Sequence, residues 1–336
     1  MSSLGIKNIE QAKKLVIERN LDFIKIGVFD YDGILRGKYV NREKFFSALE
    51  HNFGFCDVIL GWDSNDQLIP NLKYTGWHTG YPDAMVRIIP ESCRNIAGED
   101  TVLFLGEFVG EAKEYCPRGI LKSTLKLAQE MGFQARAALE YEFFLFDETP
   151  DSIREKGYQN LKPITPGNFG YSVLRNSTHA PLYQELFELC RTMDFPLEGL
   201  HTETGPGVWE AAIRVDDLMA AADKAALFKT FVKVWAQKHG MMATFMARWS
   251  IDYPGQSGHM HLSLQNQNGE SAFYDQKHKY GMTEVQEHFV SGQQILMPEF
   301  LAMIAPTVNS YSRLVPGFWA PTASNWGFEN RTCSLR

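Results

Sequence analysis

Cysteine is scarce and unpatterned: Cys56, Cys93, Cys116, Cys190 and Cys333 are the only five in 336 residues, and no two form a C-x-x-C pair. That argues against a structural zinc site and fits reduced thiols. Long hydrophobic runs are missing too. No stretch reaches 18 consecutive apolar residues, and Met1-Ser-Ser-Leu-Gly-Ile-Lys7 leads into a polar amphipathic segment instead of a signal peptide. The expectation is a cytoplasmic protein with no membrane partner. Nor is there an excess of positive charge. With 33 Lys and Arg against 40 Asp and Glu, the net charge of -7 argues against nucleic acid as a partner. What remains is 44% hydrophobic and 22% charged, ordinary for a soluble globular chain long enough for two domains.

Local signals divide the chain near residue 112. Asn8 is placed to cap a helix over 9–19, with Ile9, Ala12, Leu15 and Val16 on one stripe. Strands follow at 23–29 and 34–40, joined by Asp30-Tyr-Asp-Gly33. Asn41 caps a helix through His51, and apolar runs at 84–89 and 102–108 read as strands. Residues 61–83, rich in Gly, Asp, Asn and Pro, predict a long loop. The second region opens at Pro117 with a helix stopped by Gly132. It then alternates: strand 134–146, helix 180–193, hairpin 197–213, helix 217–239, strands 241–248 and 258–264. Interleaved hairpins and helices give an α+β fold with an antiparallel or mixed sheet. Residues 150–172 read as a mobile excursion over it.

Four glutamates stand out. Strand 134–146 puts Glu140 and Glu142 on one face, about 6.5–7 Å apart, in an otherwise apolar element. In the segment 197–213, Pro206-Gly207 predict a type II turn, and continuing its pairing sets Glu203 opposite Glu210. Like charges so placed destabilise a ladder unless a cation is shared between them. Strand 258–264 adds His259, His261 and Ser263 on one face. One imidazole among many carboxylates suggests Mg²⁺ or Mn²⁺. The last stretch, 309–336, is dense in Arg, Asn and aromatics without helical period, and Arg313, Arg331 and Arg336 suit bidentate grips on carboxylate and phosphate. The chain stops at Arg336 inside this segment, and the expectation is a piece whose C-terminal part is missing.

The ordered pieces Glu-Tyr-Glu-Phe-Phe-Leu-Phe-Asp (140–147), Glu-x4-Glu-x-Gly-Pro-Gly-x-x-Glu (198–210), Gly-x-x-Gly-His-x-His-x-Ser-Leu (255–264) and Asn-Ser-Tyr-x-Arg-Leu-Val-Pro-Gly (309–317), followed by Glu-Asn-Arg (329–331), resemble the glutamine synthetase family. The resemblance runs from about residue 20 to the end. It implies a small N-terminal β-grasp domain over 1–112 and a larger catalytic domain over 113–336 with a curved antiparallel or mixed sheet flanked by helices. It also implies homo-oligomeric stacked rings, typically dodecamers, with active sites between subunits. Two Mg²⁺ or Mn²⁺ ions per site are implied: Glu142, Glu203 and Glu210 on one, Glu140 and His259 on the other. Glu198, His261 and Ser263 would contact ATP, and Arg331 and Arg336 would face ATP and the transferring phosphate. Arg313 and Gly255 would hold glutamate. Asp57 is similar in place to an aspartate that a neighbouring subunit lends to the amine, with Asp63 and Asp66 as competitors.

The implied reaction activates the γ-carboxylate of glutamate with ATP and transfers it to an amine. Three departures bear on which amine. Trp319 stands where the ammonia-using enzymes carry a glutamate, which favours an organic amine over ammonium. Pro254 replaces a glutamate-binding Asn, and Arg248-Trp249 stand where Lys-Pro is common. The family's last metal ligand would lie beyond Arg336. Two alternatives stay open: ligation of glutamate to ammonia itself, and a catalytically inactive structural or regulatory relative.

Overall fold

A computed structural model describes residues 4–336. The chain divides into two units, the first made of the segment ending at Leu127 with Glu185–Pro196 and Ala222–Thr230. The second comprises Ala128–Gln184, Leu197–Ala221 and Phe231–Arg336. Neither is one continuous stretch, whereas the sequence reading divides the chain once.

In the first unit, short polar side chains start the helices where local sequence asks for them. Asn8 accepts from the Gln11 backbone N–H to begin α1 (Ile9–Glu18), and Asn41 does the same with Lys44 for α2 (Arg42–His51). Between them run β1 (Phe23–Phe29) and β2 (Leu35–Asn41), an antiparallel pair. Four strands complete the sheet: β3 (Phe53–Cys56), β4 (Asp83–Ile88), the two-residue β5 (Arg94–Asn95) and β6 (Val102–Phe108). The order β2-β1-β6-β4-β3, with only β1 and β6 parallel, is that of a β-grasp. All seven residues of β6 are buried, as a central strand requires, and the Phe104 ring packs 4.8 Å from that of Phe45 on α2. Leu60 and Asp83 bound a long irregular segment crossed by one bridge, Trp62 to Leu68. Helix α3 (Pro117–Glu130) follows.

The second unit is organised on one long strand, β7 (Gln134–Phe146). Helices α4 (Pro150–Glu155), α5 (Val173–Thr178) and α6 (Ala180–Thr192), the last of which belongs to the first unit from Glu185 on, lead to the hairpin β8 (Leu197–Thr202) and β9 (Val208–Ile213). Next come β10 (Asp216–Asp217), α7 (Leu218–Lys238), whose middle stretch Ala222–Thr230 belongs to the first unit, β11 (Met242–Thr244) and β12 (Gly258–Gln265). β7 pairs antiparallel with β9 and β10, and with β11 and β12. Four successive residues, Phe143 to Phe146, are fully buried, so both faces of β7 are covered at that end. Helix α4 begins in a capping box between Thr149 and Ser152, at the start of the stretch expected to be a mobile excursion.

Two helices close the chain where the sequence reading assigned none. α8 (Glu284–Ile304) has no buried residue, and its apolar side chains surround the axis instead of forming one stripe. α9 (Val308–Arg313) is capped by Thr307, so the stretch read as lacking helical period starts with a helix. No helix among the described residues is long and apolar enough to cross a membrane.

Candidate metal centre

The register of β7 builds the site. Glu142 pairs directly with Glu210 on β9, and Glu140 pairs with His259 on β12, so strands from both edges deliver charged groups to one place. The turn before β9 forms as the sequence predicts: Val208 N–H reaches Gly205 O across Pro206-Gly207, with Gly207 at φ 70°. A Cβ on Gly207 would lie 2.4 Å from Leu145 O, so only glycine fits. The ladder does not continue from that turn, however. Glu203 N–H donates to Val208 O, Thr204 is left out of the pairing, and the register moves by two residues. His201, not Glu203, therefore stands opposite Glu210, which corrects the expected Glu203–Glu210 pair. The physical cause is that a type II turn does not match the twist of a two-residue hairpin.

Glu203 still joins the cluster, because its side chain shares a face with His201. Two triads result, each with ligand atoms within 4.8 Å of one another: Glu140, Glu210 and His259, and His201, Glu203 and Glu210. Glu210 belongs to both. His259 Nδ1 lies 3.4 Å from Glu140 Oε2 and 4.0 Å from Glu210 Oε1, and His261 Nε2 lies 3.3 Å from Glu140 Oε2. His201 Nε2 is 3.5 Å from Glu210 Oε2, and its Nδ1 is 3.9 Å from Glu203 Oε2. Among the described residues Glu142 falls in neither triad; its Oε2 accepts from the Ser257 backbone N–H at 2.6 Å.

Crowding shows in the titration of these groups. Burial, then the charges of Glu142, Glu140 and Glu203, push the Glu210 carboxyl up to about 8. Burial likewise raises Glu142, against the Ser257 N–H and Arg313, with Glu203 adding to the rise. His259 is lowered by burial and by Arg336, with Glu140 opposing. Glu203 Oε2 and His259 Nδ1 are buried with no hydrogen-bond partner among the described residues. Orphaned hard donors facing an excess of carboxylate are what a divalent cation with oxygen and imidazole ligands would satisfy, so the residues present fit Mg²⁺ or Mn²⁺.

The remaining candidates distribute as follows. Arg313 is buried, donates from NH1 to Phe318 O at 2.5 Å, and crosses Gly255 so closely that a Cβ there would meet Arg313 Cδ at 2.2 Å. Arg331 and Arg336 are exposed, yet both act electrostatically on His259, and Arg336 also on Glu210. Ser263 lies opposite Arg136 on the same strand pair that carries His259, and Glu198 is exposed at the bulge between Leu197 and Gly199. Trp319 is 73% exposed in a left-handed conformation, φ 59°. Asp57 belongs to the first unit, buried and accepting from Thr75 Oγ1 at 2.7 Å. Its competitors are occupied: Asp66 pairs with Arg36 at 2.8 Å, and Asp63 Oδ1 accepts from the backbone of Asn65 and Gln67.

His201 was missed by the sequence reading, although the signal was there: it stands two residues before Glu203, the spacing used to group His259 with His261. Tyr171 was missed as well. Its ring stacks on His201 with centroids 4.6 Å apart, and it comes from an irregular segment that carries no period to read.

Residues 114–336 match the family described as the glutamine synthetase catalytic domain. The chain is 47% identical to Type-1 glutamine synthetase 2 of Dictyostelium discoideum, over 94% of this chain and 61% of that protein. It is 34% identical to the glutamate–isopropylamine ligase of a Pseudomonas species, over 100% of this chain and 74% of that protein. Among solved structures it is similar to the GmaS/ADP complex, with a TM-score of 0.81 at 23% identity, covering 96% of this chain and 72% of that one. At that identity the likeness is one of fold. The chain thus spans about three fifths of the length of the first of these relatives.

Proposed function

The chain belongs to the glutamine synthetase family, and from that premise we propose that it joins the γ-carboxylate of glutamate to an organic amine at the expense of ATP. The observation that carries the reading is the pair of triads sharing Glu210, with orphaned donor atoms on Glu203 and His259. Glu140, Glu203, Glu210 and His259, with Glu142 beside them, would hold two Mg²⁺ or Mn²⁺ ions. When bound, these supply charge neutralisation for phosphoryl transfer.

In the first step a γ-carboxylate oxygen of glutamate attacks the γ-phosphorus of ATP, the bond to the ADP oxygen breaks, and γ-glutamyl phosphate forms. In the second the amine nitrogen attacks the acyl carbon, the carbon–oxygen bond to phosphate breaks, and the nitrogen loses a proton to leave the amide. Positioning and charge stabilisation are what the protein must provide, so no nucleophilic Ser or Cys is required. Arg313 would grip the substrate carboxylate over Gly255, while Arg331 and Arg336 face the transferring phosphoryl group. Glu198, His261 and Ser263 would contact the nucleotide. The same proposal includes a homo-oligomeric ring in which Asp57 of an adjacent subunit serves the amine.

Trp319 supports the organic amine, since an indole in place of a carboxylate offers apolar surface and no counter-charge for ammonium. The isopropylamine ligase named above is in keeping with it. The ammonia reaction is the second reading, favoured by the name of the 47% identical relative. Phosphate release with ATP, Mg²⁺ and glutamate, compared over ammonium, methylamine, ethanolamine, putrescine and isopropylamine, separates the two. Turnover faster with an organic amine is the expected result. Turnover only with ammonium sinks the amine assignment, and none with any amine sinks the ligase.

A further inference from the structure

The loop from Arg248 to Ser257 connects two parts of the candidate site. Its far end reaches Glu142 through the Ser257 N–H, and just before that Gly255 lies beneath Arg313. At the near end, Arg248 commits every nitrogen of its guanidinium to backbone carbonyls. Nε donates to Ser250 O at 3.0 Å and Tyr253 O at 3.1 Å, and NH2 to Ile251 O at 2.7 Å. NH1 crosses to α9 and donates to Ser312 O at 3.0 Å. Asn309, also on α9, clasps the Arg248 backbone: its Oδ1 accepts from Arg248 N at 2.8 Å and its Nδ2 donates to Arg248 O. The guanidinium lies 5.2 Å from the Phe318 ring centroid, and Phe318 O is the acceptor for Arg313 NH1.

None of these acceptors is a carboxylate, so Arg248 is not neutralising a local charge. It ties its own loop, α9 and the Phe318–Trp319 turn into one block. We infer that Arg248 is a positioning residue, holding Arg313 and the turn that carries Trp319 in a fixed geometry relative to Glu142 and so setting affinity for the carboxylate substrate and the amine. The identity of those ligands rests on the ligase reading; the geometry does not. The lysine common at this position in the family would keep the charge but not this web, because an ammonium lacks the planar fork that reaches four carbonyls in different directions at once.

The test uses Arg248→Lys and Arg248→Met in the whole chain. Glutamate is titrated by calorimetry onto protein saturated with Mn²⁺, Mn²⁺ is titrated alone, and hydrogen exchange is followed at the amides between Leu314 and Trp319. Both variants are expected to bind glutamate about tenfold more weakly, from the loss of charge-assisted hydrogen bonds. Mn²⁺ affinity should stay within about twofold, because the acceptors of the Arg248 guanidinium include no residue of either triad. Exchange between Leu314 and Trp319 should quicken. Unchanged glutamate affinity with unchanged exchange overturns the assignment. So does a joint fall of glutamate affinity, Mn²⁺ affinity and Tm, which marks a general loss of fold. If the unaltered chain binds no glutamate, the ligase reading fails and exchange alone decides: quickened in both variants, the positioning role stands; unchanged, it falls.

Discussion

Each unit of this protein gathers a group of carboxylates, buried in the first and mostly half-buried in the second, and the two groups are handled in opposite ways. In the first unit Glu107, on central strand β6, accepts from Arg87, from Arg118 NH1 at 2.5 Å and from Lys122 at 3.1 Å. Arg118 turns its other two nitrogens onto Asp223, with Nε to Oδ1 at 3.1 Å and NH2 to Oδ2 at 3.2 Å. Burial works to raise the Glu107 carboxyl, but Arg87, Lys122 and Arg118 together hold it below the usual glutamate range. In the second unit Glu140, Glu203 and Glu210 meet imidazoles and one another, and Glu210 rises to about 8. A carboxylate cluster supplied with guanidinium groups serves the fold, whereas one left short of cations is built for something brought from solution.

The largest effect that can break this comparison is on the first group. Arg118→Ala should cost about 3 kcal/mol or more, because Asp223 is left buried without its partner. Denaturant unfolding reads the loss, and Mn²⁺ titration of the same variant should show an unchanged site. A cost under about 1 kcal/mol would place the Arg118 pairs with ordinary surface ion pairs and remove the contrast.

Next in size is the second group. Glu210→Gln removes the carboxylate common to both triads, and Mn²⁺ affinity should fall on the order of 100-fold with phosphate release lost. Without metal the variant should be no less stable than the parent, since the substitution relieves like-charge crowding. Electron paramagnetic resonance of Mn²⁺ gives the first quantity and thermal unfolding in chelator the second. A marked drop in Tm without metal would mean that Glu210 is paired after all.

His201 sharpens the same point with a smaller effect. Its Nδ1 lies 3.0 Å from Thr202 O, which can only accept, so Nδ1 donates there and Nε2 faces Glu210. If His201 were the missing cation, it would behave toward Glu210 as Arg118 does toward Glu107. The expectation is otherwise: His201→Gln should weaken Mn²⁺ by about tenfold while leaving Tm in chelator unchanged. A lower Tm with unaltered Mn²⁺ affinity would recast His201 as a structural counter-ion.

The contrast was only half legible in the sequence, for physical reasons. Strands β1, β6 and β7 and the caps at Asn8 and Asn41 were readable to the residue or nearly so, because alternation and capping are local. The glutamates of β7 could be seen to share a face for the same reason. Glu107 could not be flagged, since it sits within an apolar run and its partners Arg87, Arg118 and Lys122 are 20, 11 and 15 residues away. The β8–β9 register depended on whether Thr204 enters the ladder, a choice made by three-dimensional twist. Helix α8 lacked a stripe to detect. Trp319 was visible as a substitution, but nothing local announced the web of carbonyls around Arg248.

The smallest effect is the most direct reading of the two opposite shifts. A carboxyl held below its ordinary value contributes stability that is fully present above that value and is lost as pH falls through the lower, folded one. Glu107 belongs to this class, so the window is the acid limb below about 4.5, the ordinary glutamate value. Glu107→Gln should flatten that limb by at most about 1.4 kcal/mol per pH unit, the linkage of a single proton. Glu210 is shifted the other way, so Glu210→Gln should leave the acid limb as it is. Unfolding free energies of parent, Glu107→Gln and Glu210→Gln between pH 3 and 6, all in chelator, give three curves. Parallel curves for the parent and Glu107→Gln would show that the guanidinium partners do not hold Glu107 ionised, and the distinction between a cluster built for the fold and one built for a ligand would lose its electrostatic basis.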